Sequence, residues 1–309
     1  MQIGEYDILQ CADCGVQSTF PLPSPERLRT LYATDYYGGA DAARFRYGPL
    51  QQVVRLFRWR RARMLRRRLG GDVAGRRVLD VGCGRGDIIR WLQRWGADVH
   101  GTEASDTAAR TAGRMVGSDR VFIGDLADAK YPPSSFDCIT LWHVLEHVRR
   151  PDLLLSEIGR LLRPGGFAYI EVPNAASWSA RRFGSRWLAY DIPKHLFHFS
   201  PASLNALAKQ AGLTSIGHSH FSFEYSPVTL LQTMLSTSFG GDALLFRRLT
   251  TEATGNGARA GLARRVLEPL AAAALAVPAL VISGVLGWSH SGDTFGVYLT
   301  RTTEQGRTL

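Results

Sequence analysis

A chain of 309 residues that is 45% hydrophobic and 21% charged holds enough apolar material for a sizeable core, which excludes a disordered or fibrous class. Its formal charge of +10 comes almost wholly from arginine, since only Lys130, Lys194 and Lys209 are lysine; coding bias explains that skew as well as a binding surface does. Four cysteines make no disulfide framework, and MQIGEYDILQ lacks the basic and apolar regions of a secretory signal, so a reducing, cytoplasmic setting is expected.

In chain order, the first feature is CADCG at residues 11–15, which has the spacing of half a zinc knuckle. Structural zinc needs four ligands and the next cysteine is Cys83, in a different segment, so no metal is expected. The run WRRARMLRRRLGG (59–71) continues a helical pattern of Leu50, Val53, Val54, Phe57, Met64 and Leu65, which predicts a helix with one apolar stripe and outward arginines. A solvated face is the plain reading. Contact with an anionic membrane surface or substrate is the alternative, and nucleic acid the weaker one, because charge alone gives only nonspecific attraction.

From residue 76 strands and helices alternate: RRVLDV (76–81), a helix in GDIIRWLQRW, ADVHGTE (97–103), a helix in SDTAARTAGRM, RVFIGD (120–125), SFDCITLW (135–142), a helix through PDLLLSEIGRLL, and GGFAYIEVP (165–173). Pro164-Gly165-Gly166 reads as a stop before that fifth strand. SPASLNALAKQAG (200–212) reads as a capped helix and LTSIGHSHFSF as a further strand. The alternation predicts an α/β, doubly wound, mostly parallel Rossmann-like sheet.

The loop VGCGRGD follows the first of these strands directly, with Gly82, Gly84 and Gly86 in five positions. It stands at the carboxyl end of a strand, where ligands of such sheets sit. No P-loop lysine follows it, and its third glycine comes one residue too early for a dinucleotide fingerprint. GxGxG after VLDV, with Asp80 two residues ahead, instead resembles the first motif of the class I S-adenosylmethionine-dependent methyltransferases. Glu103, Asp125 in FIGDL, LWHVLEHVRRP and LLRPGGFAYIEVPN follow in the family's order. DIPKHLFHFSPASLNALAKQAGL (191–213) is similar to the small-molecule branch, which includes quinone-type and cell-surface-glycan-pathway methyltransferases.

The resemblance implies a seven-stranded sheet, S-adenosylmethionine as cofactor and transfer of a methyl group to a small-molecule, sugar or lipid-linked acceptor, at oxygen rather than nitrogen or carbon. Cofactor binding is expected from Asp80, Gly82, Cys83, Gly84, Gly86, Glu103, Asp125, Leu126, Trp142 and His143, with Glu103 on the ribose, Asp125 near the adenine and Cys83 a filler rather than a nucleophile. A histidine suits the general base. His195 is the first candidate and His147 the second, with His143, Asp191 and His198 also in range. Tyr36 and Tyr37 fall where relatives close an N-terminal segment over the cofactor. HVLEH (143–147) matches an inverted zinc-protease motif, but its place at the end of an apolar strand favours a helix lining the cleft, and no metal is expected there either.

Near the C-terminus, Pro269–Trp288 runs 20 residues without a charge, the length a bilayer core demands, and Arg264 and Arg265 precede it. Eight of the 20 are alanine or glycine, and TFGVYLT (294–300) must return to the same sheet, so a single span does not fit. With YSPVTLLQTMLS (225–236) it is expected to fold back as a lid or a monotopic membrane contact, facing a lipid-like acceptor. The chain thus divides into an N-terminal helical segment (1–70), a methyltransferase core (71–224), an apolar helical insertion (225–291) and a last strand with tail (292–309). The rival readings are a non-catalytic cofactor-binding scaffold and a nucleic-acid methyltransferase. Against the latter, LWHVLEH stands where base-methylating enzymes carry a [DNS]PP[YFW]-like motif.

Overall fold

The computed structural model describes residues 1–33, 48–240 and 262–302; Tyr36 and Tyr37 lie outside them. The N-terminal segment begins not as helix but as antiparallel sheet, with β1 (Gln2–Ile3), β2 (Tyr6–Gln10) and β3 (Gln17–Phe20). The CxxC turn makes this hairpin: Cys11 N–H donates to Val16 O at 2.9 Å and Gly15 N–H to Cys11 O at 3.0 Å. Helices α1 (Pro25–Ala33) and α2 (Gly48–Arg68) follow.

The core then alternates as its short β-rich runs dictate: β4 (Arg77–Val81), α3 (Asp87–Arg94), β5 (Asp98–Glu103), α4 (Asp106–Val116), β6 (Val121–Ile123), β7 (Phe136–Trp142), α5 (Pro151–Leu161), β8 (Leu162–Pro173), α6 (Trp178–Phe183), β9 (Phe197–His198), α7 (Pro201–Gln210) and β10 (Leu213–Ser219). The insertion supplies α8 (Ser226–Phe239) and α9 (Leu262–Trp288), and β11 (Thr294–Arg301) closes the sheet. Seven strands lie in the order β10-β11-β8-β7-β4-β5-β6, with β11 antiparallel to both neighbours and β4 to β8 parallel. Ser105 caps α4, and Ser200 with Ser203 forms a capping box on α7.

Three boundaries differ from the sequence reading. The strand of LLRPGGFAYIEVP begins at Leu162, because Leu162 already pairs with Phe136; Pro164-Gly165-Gly166 is looped out of the ladder before Phe167 meets Cys138. β6 stops at Ile123, so Asp125 stands two residues beyond it. The segment 143–147 is no helix: His143 takes a left-handed backbone (φ +54°) and only Leu145–His147 makes a 3-10 turn.

The aliphatic core lies between the sheet and its two helical layers, around Leu79, Ile139, Leu155, Ile170 and Val297 on one face and Val78, Ile89, Leu92 and Val99 on the other. The N-terminal sheet is completed by β9, and its Thr19 hydroxyl donates to His195 O at 2.8 Å, which ties the 195–198 segment beside the sheet's carboxyl edge. The start of β11 is fixed by Asp293, whose buried carboxylate accepts from Trp187 Nε1 at 2.8 Å and from the hydroxyls of Ser179 and Ser177.

Candidate active site

A cleft of about 1320 Å³ opens along the carboxyl ends of β4, β5 and β7. Its first half is built from backbone. Gly82 and Gly84 both lie at positive φ (67° and 56°), and a Cβ at Gly82 would run into Val144, so the loop passes hard against the turn after β7. Both oxygens of the buried Glu103 carboxylate accept backbone donors, Gly84 N–H at 2.9 Å and Ser105 N–H at 2.8 Å. A carboxylate fixed in this way on the cleft wall is the kind of acceptor that a vicinal diol requires. Asp125 and Leu126 line the same half, Asp125 exposed and Leu126 buried.

Asp80 lies beneath the loop, with Oδ1 accepting the Thr140 hydroxyl at 2.6 Å; burial pushes its carboxyl up to about 7. Cys83 is buried with its sulfur packed against Gly101, and burial pushes its thiol well up, which suits a packing role better than a nucleophile. Gly86 does not line the cleft, and its missing side chain instead admits Ala112 of α4.

The second half is held by a buried web of ions. Arg61 was expected to face water with the other arginines. It points inward instead, placing Nη2 at 2.8 Å from Glu171 Oε1 and 3.2 Å from Glu224 Oε2, while its guanidinium covers the Trp142 ring at 4.4 Å. Arg58 reaches the other Glu224 oxygen at 3.4 Å. Tyr169 and Ser222 donate their hydroxyls to Glu171 at 3.1 and 3.2 Å. His143 stands between Glu146 (3.2 Å from Nδ1) and Glu171 (3.4 Å from Nε2), with its ring against Tyr225 at 3.9 Å. Burial pulls the His143 imidazole down, but the two carboxylates outweigh it and hold it at about 10. That favours the cation at neutral pH, the form that has no free nitrogen to take a proton.

His147 lines the cleft, and His195 stands one ring behind it, buried, with ring centroids 4.6 Å apart. Each imidazole donates Nδ1–H to a backbone carbonyl, His147 to Lys194 O at 3.1 Å and His195 to Ala189 O at 2.8 Å. Burial and the neighbouring His195 pull His147 down to about 4. His198 is buried off the cleft, against Tyr190 and Thr19, and pulled down to about 3 by burial; Asp191 is exposed and pairs with Lys194 at 3.8 Å. Neither lines the cleft. Arg61, Glu171, Glu224 and Tyr225 were missed by the sequence reading. Arg61 falls four residues after Phe57 and seven after Val54, on the inward stripe itself, a signal the surrounding arginines concealed.

Residues 54–217 match the family described as a methyltransferase domain. The chain is 32% identical over 154 residues to a ubiquinone biosynthesis O-methyltransferase of Thiobacillus denitrificans, covering 46% of this chain and 66% of the relative. It is 31% identical over 179 residues to the enzyme of that description from Bordetella avium, covering 54% and 73%. Among solved structures, the [4+2]-cyclase SpnF matches with a TM-score of 0.50 and 20% identity over 89% of this chain and 92% of that one, a likeness of fold alone. The chain belongs to the class I S-adenosylmethionine-dependent methyltransferases. It is an enzyme of that class, and S-adenosylmethionine is its cofactor.

Proposed function

We propose that this methyltransferase alkylates a hydroxyl of a quinone-type or other lipid-linked small molecule in the cytoplasm, at the inner face of the membrane. The observation that supports it best is the neutral imidazole of His147 on the wall of a cleft whose other half fits the cofactor. Gly82, Gly84, Glu103, Asp125, Leu126 and Trp142 would hold S-adenosylmethionine. Bound there, it would supply a methyl group on a sulfonium, open to in-line displacement by an acceptor oxygen with the carbon–sulfur electron pair left on sulfur.

His147 is unprotonated at neutral pH, the form that can take the acceptor's proton. Glu146, buried and held near 2 chiefly by the His143 cation against the cost of burial, stays ionised and favours the imidazolium as it forms. His195 takes the role of a positioning residue behind His147, the reverse of the order read from the sequence. Trp142, Val54, Val144 and Tyr225 give the acceptor half apolar walls suited to a ring or chain.

A second reading comes from one geometric fact. The ligand atoms of Glu146, His147 and His195 all lie within 4.8 Å of one another, and Glu146 Oε2 has no hydrogen-bond partner among the described residues. Imidazoles tied through Nδ1 to carbonyls are oriented as in metal sites, so a divalent cation there would acidify the acceptor hydroxyl directly. The spacing of HVLEH could not show this, because the third ligand comes from residue 195.

The test is transfer of labelled methyl from S-adenosylmethionine to a lipid extract of the native host, with and without a chelator, alongside metal analysis of the purified protein. Label in an extract lipid, unaffected by the chelator, supports the imidazole base. Turnover lost to the chelator and restored by a divalent ion supports the metal. Label confined to water-soluble material or nucleic acid sinks the acceptor class.

A further inference from the structure

The long helix α9 is built inside out. Its inward stripe is small or polar: Glu268 and Ser283 are each only 1% exposed, and Ala272, Ala279 and Gly287 are buried beside them. Its large apolar residues face outward, with Leu270 62%, Val277 68%, Val281 59% and Trp288 86% exposed. A helix on a water-soluble surface has the opposite arrangement. Small residues toward the protein and large apolar ones outward is the pattern of a helix whose outer solvent is hydrocarbon. The segment Val266–Trp288 is also long and apolar enough to cross a membrane by length and composition.

Two observations decide how lipid would meet it. First, α9 lies along the body of the protein rather than leaving it. Glu268 is buried near one end, Gly287 packs on Phe221 at the other, and β11 pairs with β8 from Thr294 onward. A span would carry one end away from this body. Second, the surface continues onto a basic helix. Phe221 meets Phe223 with ring centroids 4.7 Å apart, and Arg60 of α2 lies over Phe223 at 4.1 Å. From there the exposed stripe Val53, Leu56, Arg60, Arg63, Arg67 runs along α2. Residues 48–71 contain no Asp or Glu, and none of these three arginines makes an ion pair among the described residues.

We infer that α9 and α2 together form a docking face for an anionic bilayer, with α9 lying in the plane of the membrane and its Leu270–Val277–Val281–Trp288 stripe sunk among the acyl chains. The arginine stripe of α2 rests on anionic headgroups. This deepens the membrane association proposed above and is independent of which acceptor is methylated. The apolar helix supplies attachment and the arginines supply the preference for negative lipid. Because α8 starts directly after the cleft residue Tyr225 and packs on α9, docking would hold the mouth of the acceptor half close to the lipid.

The test is co-sedimentation of the full chain with phosphatidylcholine vesicles, alone or with about 30% phosphatidylglycerol. The wild type should sediment with the anionic vesicles and be partly released between about 0.1 and 0.5 M salt. Val277→Ser/Val281→Ser/Val285→Ser should weaken binding to both vesicle types by about tenfold or more. Arg60→Gln/Arg63→Gln/Arg67→Gln should abolish the anionic preference and the salt response while leaving residual binding. S-adenosylmethionine affinity, measured in parallel, should be unchanged in both, which separates loss of docking from loss of fold or of the catalytic reading. Wild-type protein that stays in solution with anionic vesicles overturns the inference. So does a soluble dimer that the valine variant dissociates, or a C-terminus protected from protease inside sealed vesicles.

Discussion

The two halves of the cleft are built on different physical plans. The cofactor half uses backbone: a glycine loop, a strand-end carboxylate that accepts two peptide N–H groups, and the turn after β6, all within residues 80–126. The acceptor half uses buried charge, with Arg61, His143, Glu146, Glu171 and Glu224 brought together from four separate stretches of the chain. Backbone geometry is reproduced wherever the strand order is kept. A web of side-chain ions fails as a unit when one member is lost, so the halves should break differently.

The largest separation of the two comes from His147→Ala. Turnover should fall by about 10²–10⁴-fold, the usual contribution of a general base, while S-adenosylmethionine affinity by calorimetry stays within about twofold, since the cofactor half lacks that side chain. His195→Gln should cost less and shift the pH–rate profile, because it acts through His147. Equal losses of affinity and turnover in His147→Ala would place that residue in the wrong half.

Next comes Arg61→Met. It leaves Glu171 and Glu224 buried without their shared cation, a change that costs about 3–5 kcal/mol in comparable buried pairs. Denaturant unfolding should show that loss, and Arg61→Met/Glu171→Gln should recover part of it. Failure of the double variant to recover would mean that Arg61 acts through its packing on Trp142 rather than its charge.

On the cofactor side, Glu103→Ala removes a charged acceptor, expected to weaken S-adenosylmethionine by an amount equivalent to about 1.5–3 kcal/mol, and the unfolding midpoint should fall as well, because Gly84 N–H and Ser105 N–H lose their acceptor. An unchanged affinity would remove Glu103 from the cofactor site.

The same contrast explains what the sequence made legible. Gly82, Gly84, Glu103 and Asp125 announce themselves, because each stands at a fixed offset from a strand that hydrophobic runs identify. The return of β11 to the sheet follows from the same kind of run. The charge state of His143 was not legible because its residue type suggests a base, while its ionisation is set by Glu146 and Glu171 together, the latter distant in sequence and adjacent across β7 and β8. The N-terminal hairpin was overlooked because its strands are two to five residues long and alternate only weakly. Arg61 was assigned to solvent by residue type, although its helical phase put it inside. Periodicity should have outweighed charge there.

The smallest effect separates the halves by pH. The cation of His143 belongs to the acceptor web, and its folded value of about 10 lies above the ordinary 6.5. The stability it contributes is complete below about 6.5 and is lost as the pH rises through 10. Asp80, in the cofactor half, is also raised, to about 7 from 3.8, so its stabilising effect is lost mainly by neutrality. Between about pH 8 and 9 the loss reports His143, at no more than about 1.4 kcal/mol per unit, together with the buried Cys83 and Cys138 thiols, which burial also pushes well up on folding. Denaturant midpoints of the wild type should decline over that interval. In His143→Gln, less stable throughout because Glu146 and Glu171 lose their cation, the decline should become shallower and keep only the part due to the thiols, whereas in Thr140→Val, which perturbs only Asp80, it should persist in full. A slope unchanged in His143→Gln would mean that the imidazole is already neutral below pH 8, which would return it to the list of candidate bases.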